Sequence, residues 1–182
     1  MLKNIKYNSF LSAVLLCLLS VDAPNAQSAS SQSTVAILDF EGRGINSLEA
    51  ATLTDRFTSE DGKTGAVRLV DRTMVKEILI EQGFQQSGCT SDECAVEVGA
   101  MLGVQFMISG AIGKLGDTFT IDAKLVSVES GASVETRNVT YIGKVDGLVT
   151  EIELLAWDIM NIDPPDALKE KKRLGAQAFL AS

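Results

Sequence analysis

The chain of 182 residues contains no histidine, and that absence removes a large share of enzyme chemistry. It excludes the Ser-His-Asp arrangement, a histidine general base and the commonest protein metal ligand. Cysteine is nearly as scarce, with three in all, Cys17, Cys89 and Cys94. A tetrahedral zinc site takes four nitrogen or sulfur ligands, so the chain has no intrachain set to offer. Neither a catalytic residue, a metal ligand set nor a cofactor is assigned. Positive charge is also short: 16 Lys and Arg face 24 Asp and Glu, for a net charge of −8. Binding to nucleic acid or to an anionic membrane surface by counterion release has no electrostatic source in such a chain. Finally, no apolar run approaches the ~18 residues of a transmembrane helix, so no membrane span is expected.

What is present begins with an export signal. Lys3 and Lys6 form a basic start, Phe10 to Val21 an apolar run, and Ala26-Gln27-Ser28 a small-residue cleavage region, the three parts of a secretory signal peptide. We assign residues 1–28 to it, with cleavage between Ala26 and Ala29. Cys17 is preceded by Leu16, not by a small residue, and the apolar run continues beyond it through Leu18 and Leu19. Lipid anchoring at Cys17 is therefore not expected, and the mature chain should be a soluble periplasmic protein. Loss of two lysines and one aspartate with residues 1–28 makes the mature net charge −9. About 150 residues remain, enough for one domain with its own core.

The mature chain opens with a Ser/Ala/Gln linker, 29–33. Thr34-Val-Ala-Ile-Leu-Asp-Phe40 reads as a buried first strand, closed by a turn at Glu41-Gly-Arg-Gly44. Asn46 or Ser47 caps a helix to about Ser59, with Leu48, Ala51, Leu53 and Phe57 inward and Asp61-Gly62 at its end. Val67 to Asp71 is a second strand, and strand, helix, strand at this spacing predicts a right-handed parallel βαβ unit. Asp71 caps the next helix, which carries Met74, Val75, Ile78 and Leu79 on one side and exits at Gly83. A capping box at Thr90-Ser-Asp-Glu93 opens a third helix, with Cys94, Ala95, Val98, Met101 and Leu102 inward. From Val104 the period changes to two. Val104–Lys114, Thr118–Val128 and Ala132–Ile142 form a three-stranded antiparallel meander joined by tight turns. A last amphipathic helix, Val145 to Asn161, presents Leu148, Ile152, Leu155 and Ile159. Pro164-Pro165 stops it, and 162–182 are expected to be a weakly ordered tail whose Lys169-Glu-Lys-Lys-Arg173 cluster is solvated. The predicted fold is thus α/β: one domain over 34–161, with a mixed sheet built from the βαβ unit, two further helices, the meander and a C-terminal helix.

Two motifs invite a chemical reading. Cys89 and Cys94 are spaced C-x4-C, not as the C-x-x-C of a redox catalyst. In an oxidising compartment a structural disulfide tying the loop to the first turn of its helix is the favoured reading. The competing one is a thiolate activated by the helix N-terminus, which Asp92 and Glu93 oppose. Glu41-Gly-Arg-Gly-Ile-Asn-Ser47 stands where a dinucleotide fold keeps its phosphate loop. However, Ser47 replaces the third glycine and Glu41 adds negative charge, so Gly42 and Gly44 read as backbone geometry, with a nucleotide site as the competing reading. Asp39 and Glu41 could form a carboxylate pair, but they read better as a strand end.

Several of these segments, in this order, also carry a family resemblance. Val35-Ala-Ile-Leu-Asp-Phe-Glu-Gly42, Arg68-Leu-Val-Asp-Arg72, Glu81-Gln-Gly-Phe-Gln-Gln-Ser-Gly-Cys-Thr-Ser-Asp-Glu-Cys94, Leu102-Gly-Val104 and Leu125-Val-Ser-Val-Glu-Ser-Gly131 resemble the CsgG-type curli assembly and transport family over about residues 34–161. The same core is similar to LpoB-type activators of peptidoglycan synthases and to the N-terminal domain of TolB-type proteins. The resemblance implies a non-enzymatic module that works through envelope protein partners in envelope assembly or curli-type secretion, or alternatively an LpoB-like regulator of a peptidoglycan synthase. Self-association into a homo-oligomer is compatible with it. The channel-forming members insert two long membrane hairpins per subunit. Here those places hold only the tight turns at Leu115-Gly-Asp117 and Gly143-Lys-Val-Asp-Gly147, too short for strands of ~9–11 residues, so the resemblance implies the family's soluble domain without its pore.

Overall fold

The computed structural model describes residues 32–83, 89 and 91–180. The signal-peptide assignment, most of the linker and Cys17 lie outside the described residues. Within them the elements run β1 (Thr34–Ile37), β2 (Glu41–Arg43), α1 (Ser47–Thr64), β3 (Arg68–Leu69), α2 (Arg72–Glu81), α3 (Asp92–Leu102), β4 (Phe106–Leu115), β5 (Thr118–Ser127) and β6 (Ser133–Ile142). A 3-10 turn at Val145–Gly147 leads into α4 (Leu148–Ile159), and α5 (Asp166–Leu180) follows.

The six strands form one mixed sheet in the order β3-β1-β4-β5-β6, with β2 also paired to β4. β1 is parallel to β3 and β4, with Val35 opposite Phe106 and Ile37 opposite Ile108. The meander is antiparallel, with Leu115 opposite Thr118 across the first turn and Thr118 opposite Ile142 in the next strand. This is the expected α/β architecture, its βαβ unit and meander in place.

The strand period of two decides how the helices pack. Val35, Ile37, Ile108, Ile112, Phe119 and Ile121 point to one face, where they meet Leu53 and Phe57 of α1 and Leu148, Ile152, Leu155 and Ile159 of α4. Ala36, Leu38 and Met107 point to the other face and meet Val75, Leu79, Ala95 and Val98 of α2 and α3. Both sides of the parallel half are therefore covered, which is why β1 reads as a continuous apolar run.

Several boundaries differ from the sequence reading. The Glu41-Gly-Arg stretch, expected as a turn, is the strand β2, because its backbone continues past Leu38 to pair in parallel with Ala111–Gly113 of β4. Helix α1 does not end at Asp61-Gly62. It runs one more turn to Gly65, whose φ of 65° supplies the left-handed cap that a residue with a Cβ adopts at a cost. Asn46 is its N-cap, accepting from the Glu49 N–H in a capping box. The cap of α3 is Ser91, which accepts from the Cys94 N–H, whereas the expected Thr90 lies outside the described residues. Leu48, Met74 and Met101, assigned to inner faces, are exposed, whereas Leu53, Val75 and Val98 of the same helices are buried.

The largest correction is at the C-terminus. The segment expected as a weakly ordered tail forms α5, which packs on α4. Its ordering comes from charge, not apolar burial. Lys171 donates to Glu153 at 2.7 Å and Lys172 to Glu151 at 3.0 Å. Glu153 is almost completely buried and also holds Arg56 of α1. Burial pushes its carboxyl up, but the hydrogen bonds from Lys171 and Arg56 outweigh that and hold it below the usual carboxylate range. The basic cluster read as a solvated face is therefore partly a fastening.

Asp61 in α1 is fully buried, and neither carboxylate oxygen has a hydrogen-bond partner. Burial without a counter-charge pushes its pKa up to about 7, as expected when the charged form is desolvated. The folded state thus holds this proton well above the unfolded chain. The contribution is complete below pH ~4 and is lost as pH rises to about 7, at about 1.4 kcal/mol per unit. Urea denaturation at pH 5 and pH 8 should show the protein less stable at pH 8, with Asp61 accounting for on the order of 2–3 kcal/mol. Asp61→Asn should remove that part of the difference, and an unchanged pH dependence in the variant would refute the assignment.

Candidate functional site

The cysteine pair is brought together as expected. Cys89 and Cys94 are disulfide-bonded with Cα atoms 5.4 Å apart, and Cys89 is buried against the α2–α3 side of the core. The bridge ties the chain just before α3 to its first turn. That turn carries Asp92, which pairs with Lys124 of β5 at 3.2 Å. Hydrogen bonds within the capped turn, with Ser91 among the donors, hold the Glu93 carboxyl below its usual range, and Lys124 adds to this. An anionic first turn of this kind is the opposite of what an activated thiolate requires.

The two loop glycines are accounted for by packing. Gly44 has a φ of 82°, and a Cβ there would lie 2.7 Å from the Lys114 carbonyl oxygen. A Cβ on Gly42 would press on Ile45 and Ala50 at 3.1–3.3 Å. Gly44 lets the β2–α1 connection sit tightly against β4, and Gly42 lets Ile45 and the start of α1 approach β2. Asp39 and Glu41 do not combine. Asp39 pairs with Arg72 of α2, which also pairs with Asp55 of α1, while Glu41 takes Arg43.

Sequence reading missed two surfaces that the topology creates. The first is the sheet face opposite α1 and α4, which α2 and α3 cover only at the start of β4 and the end of β5. Beyond them Glu41, Ser109, Asp122, Lys124 and Asn138 line a polar hollow of about 290 Å³. Leu115, 85% exposed, and Ile142 lie at the end of the same face. The signal for it was there in β5, where Asp122 and Lys124 alternate with Ile121, Ala123 and Leu125. Which strands would align them depended on register.

The second surface is a groove beside β6, floored by α4 and walled by α5. Its larger chamber, about 860 Å³, is lined among others by Asn138, Thr140, Leu154, Asp158 and Lys169. Its smaller one, about 390 Å³, is lined by Tyr141, Ile142, Gly147 and Gly175 among others. Glu151 and Lys172 line both. At the other end of β6 the strand is locked. Arg137 donates to Glu135 at 2.7 Å and to Asn161 at 2.6 Å, and Asn161 donates to Glu135 at 2.7 Å. Those bonds, from Asn161 first and Arg137 second, hold the Glu135 carboxyl below its usual range.

Among the described residues no helix is long and apolar enough to cross a membrane, and no cluster of three potential metal ligands occurs. What the molecule offers is polar surface, an open groove and scattered exposed apolar side chains, the material of protein contact.

Comparison with known proteins decides the family. The model of the peptidoglycan-synthase activator LpoB matches residues 20–135, well over half of the chain. The chain belongs to the LpoB family. LpoB-family members are non-catalytic activators, so this envelope protein is not an enzyme. Of the families in the sequence resemblance, it is thus the LpoB type that is found, whereas the curli-type family named first receives no support. Solved structures agree on the fold. The LpoB C-terminal domain from Salmonella enterica superposes with a TM-score of 0.52 at 14% identity, covering 74% of this chain and 93% of that one. The lipoprotein GNA1162 from Neisseria meningitidis gives 0.55 at 9% identity, covering 82% and 97%. A PelC dodecamer from Paraburkholderia phytofirmans gives 0.50 at 12%, covering 71% and 90%. No curated protein sequence matches.

The disulfide closes a short loop, for which the chain-entropy relation gives about 2 kcal/mol. A Cys89→Ser/Cys94→Ser variant should unfold at correspondingly lower denaturant, and the wild type isolated from the periplasm should show no alkylatable thiol. Two free thiols in that preparation would contradict the bridge.

Proposed function

We propose that the mature protein is a soluble periplasmic regulator that docks onto a peptidoglycan synthase and raises its activity. The match of residues 20–135 to the synthase-activator family carries this reading. The composition supports it, since a chain without histidine and with its disulfide cysteines committed has little to contribute but contact. The mature domain comprises residues 34–161 with α5 added to it, and Cys17 leaves with the signal peptide.

A module for envelope assembly, of the curli-type kind, is the second reading. One observation favours it: the PelC protein that shares this fold is a dodecamer. Self-association separates the two. Sedimentation of the regulator should show a small species, whereas a large closed ring would favour assembly.

Glycan polymerisation by the synthase of the same organism should rise about fivefold or more when saturated with the mature protein, the lower end of ordinary coupling between sites. An unchanged rate would overturn the regulator reading. Fractionation should release the protein with soluble periplasmic content, and a diacylglyceryl adduct at Cys17 on intact-mass analysis would overturn the unanchored state.

A further inference from the structure

Strand β6 ends the sheet, and among the described residues it pairs only with β5. The phase of its hydrogen bonds follows from one contact. The Gly143 N–H donates to the Asp117 carbonyl at 2.9 Å, and the register continues from there with Thr118 opposite Ile142. In an antiparallel pair the bonded residues alternate. Val139 and Tyr141 therefore turn their backbone groups to β5, while Asn138, Thr140 and Ile142 turn theirs outward. This outward row borders the groove between α4 and α5.

Natural sheets shield exposed edges with charge or a covering element. β6 does so over its first half, through the Glu135, Arg137 and Asn161 network. From Asn138 to Ile142 the edge instead runs beside open chambers of about 860 and 390 Å³. Five residues of extended chain span ~17 Å, the length of this stretch.

The charge at the centre of the groove says what such a chain must carry. Glu151 is only 8% exposed, and Lys172 of α5 is its ion-pair partner at 3.0 Å. α5 is itself almost wholly exposed, with Leu168 half-buried. A segment that enters along β6 moves Lys172 aside, and a buried carboxylate left without a cation costs several kcal/mol. The entering segment therefore has to supply a cation of its own.

We propose that the Asn138–Ile142 edge of β6 receives an extended segment of a partner protein, added as a further strand, whose Lys or Arg side chain replaces Lys172 at Glu151. The site needs only the general part of the functional reading, that the chain acts through protein partners. Its residues, 138–176, all lie beyond the segment that the family model matches.

A random heptapeptide phage library panned on the purified mature protein tests this without assuming the synthase. Selected peptides should contain Lys or Arg and protect the outer-edge amides of Asn138, Thr140 and Ile142 from hydrogen exchange. Thr140→Pro removes one outward donor from an edge strand, where proline is tolerated, and should weaken their binding about tenfold or more. Glu151→Gln, read on protein shown to be folded, should do the same. Lys172→Ala should strengthen binding about threefold or more by removing the competitor, a gain that a merely structural lysine would not give. Leu48→Ser, remote on α1, serves as the control. Failure to select any peptide, or selected peptides that bind Thr140→Pro and Glu151→Gln undiminished, would overturn the proposal. The same variants assayed with the synthase separate the two readings. Synthase activation that survives both variants, alongside peptides that need the edge, would leave the regulator reading and this site standing and assign the site to another partner.

Discussion

The fold depends on β4. It is the one strand that pairs in parallel with β1 and β2 on one side and antiparallel with β5 on the other. Its Met107 and Ile108, adjacent in sequence, are both fully buried on opposite faces of the sheet. Because a strand's side chains alternate strictly, a one-residue slip of β4 would exchange the two cores. The positions of four helices follow from this register: α1 and α4 against the face of Ile108 and Ile112, α2 and α3 against the face of Met107. The surfaces follow too, since the polar hollow is the part of the second face that α2 and α3 are too short to cover.

Charge then acts where apolar burial stops. α5 contributes little to either core, yet Lys171 and Lys172 reach the buried carboxylates Glu153 and Glu151. Exposed ion pairs contribute little, but here one partner of each pair is buried: without Lys172 the Glu151 carboxylate loses its cation, and without Lys171 Glu153 keeps only Arg56. The helix is held through these two adjacent lysines and is otherwise almost wholly exposed. That arrangement leaves the neighbouring groove open. Asp61 is the contrasting case, a buried carboxyl with no cation, whose pKa is pushed up to about 7 instead.

The parts of the fold legible in the sequence were those set by local chemistry. The apolar run of β1, the alternation of Phe119, Ile121 and Ala123 in β5, the caps at Asn46 and Asp71 and the Cys89–Cys94 pair all depend on spacing within a few residues. The misses depended on partners distant in sequence. β2 exists because β4 lies beside it, and nothing within Glu41-Gly-Arg signals a strand. α5 is ordered by carboxylates on another helix, and its Lys169-Glu-Lys-Lys-Arg173 segment alone looks like a solvated face. The groove needed both the edge position of β6 and the docking of α5. The family is legible as one of several relatives sharing the core, but the segments do not separate the curli-type branch from the activator branch. The segments quoted are framework strands and turns, which carry fold more than they carry role.

Regulation by contact requires a complex with the synthase, and direct binding tests that more closely than any rate. Titration calorimetry of the mature protein into the soluble periplasmic portion of the synthase should give a saturable complex with a dissociation constant of about 10 μM or tighter, and a negative heat-capacity change from apolar burial. Absence of a heat of binding with both proteins folded and at about 100 μM, at least about ten times that constant, would contradict the account.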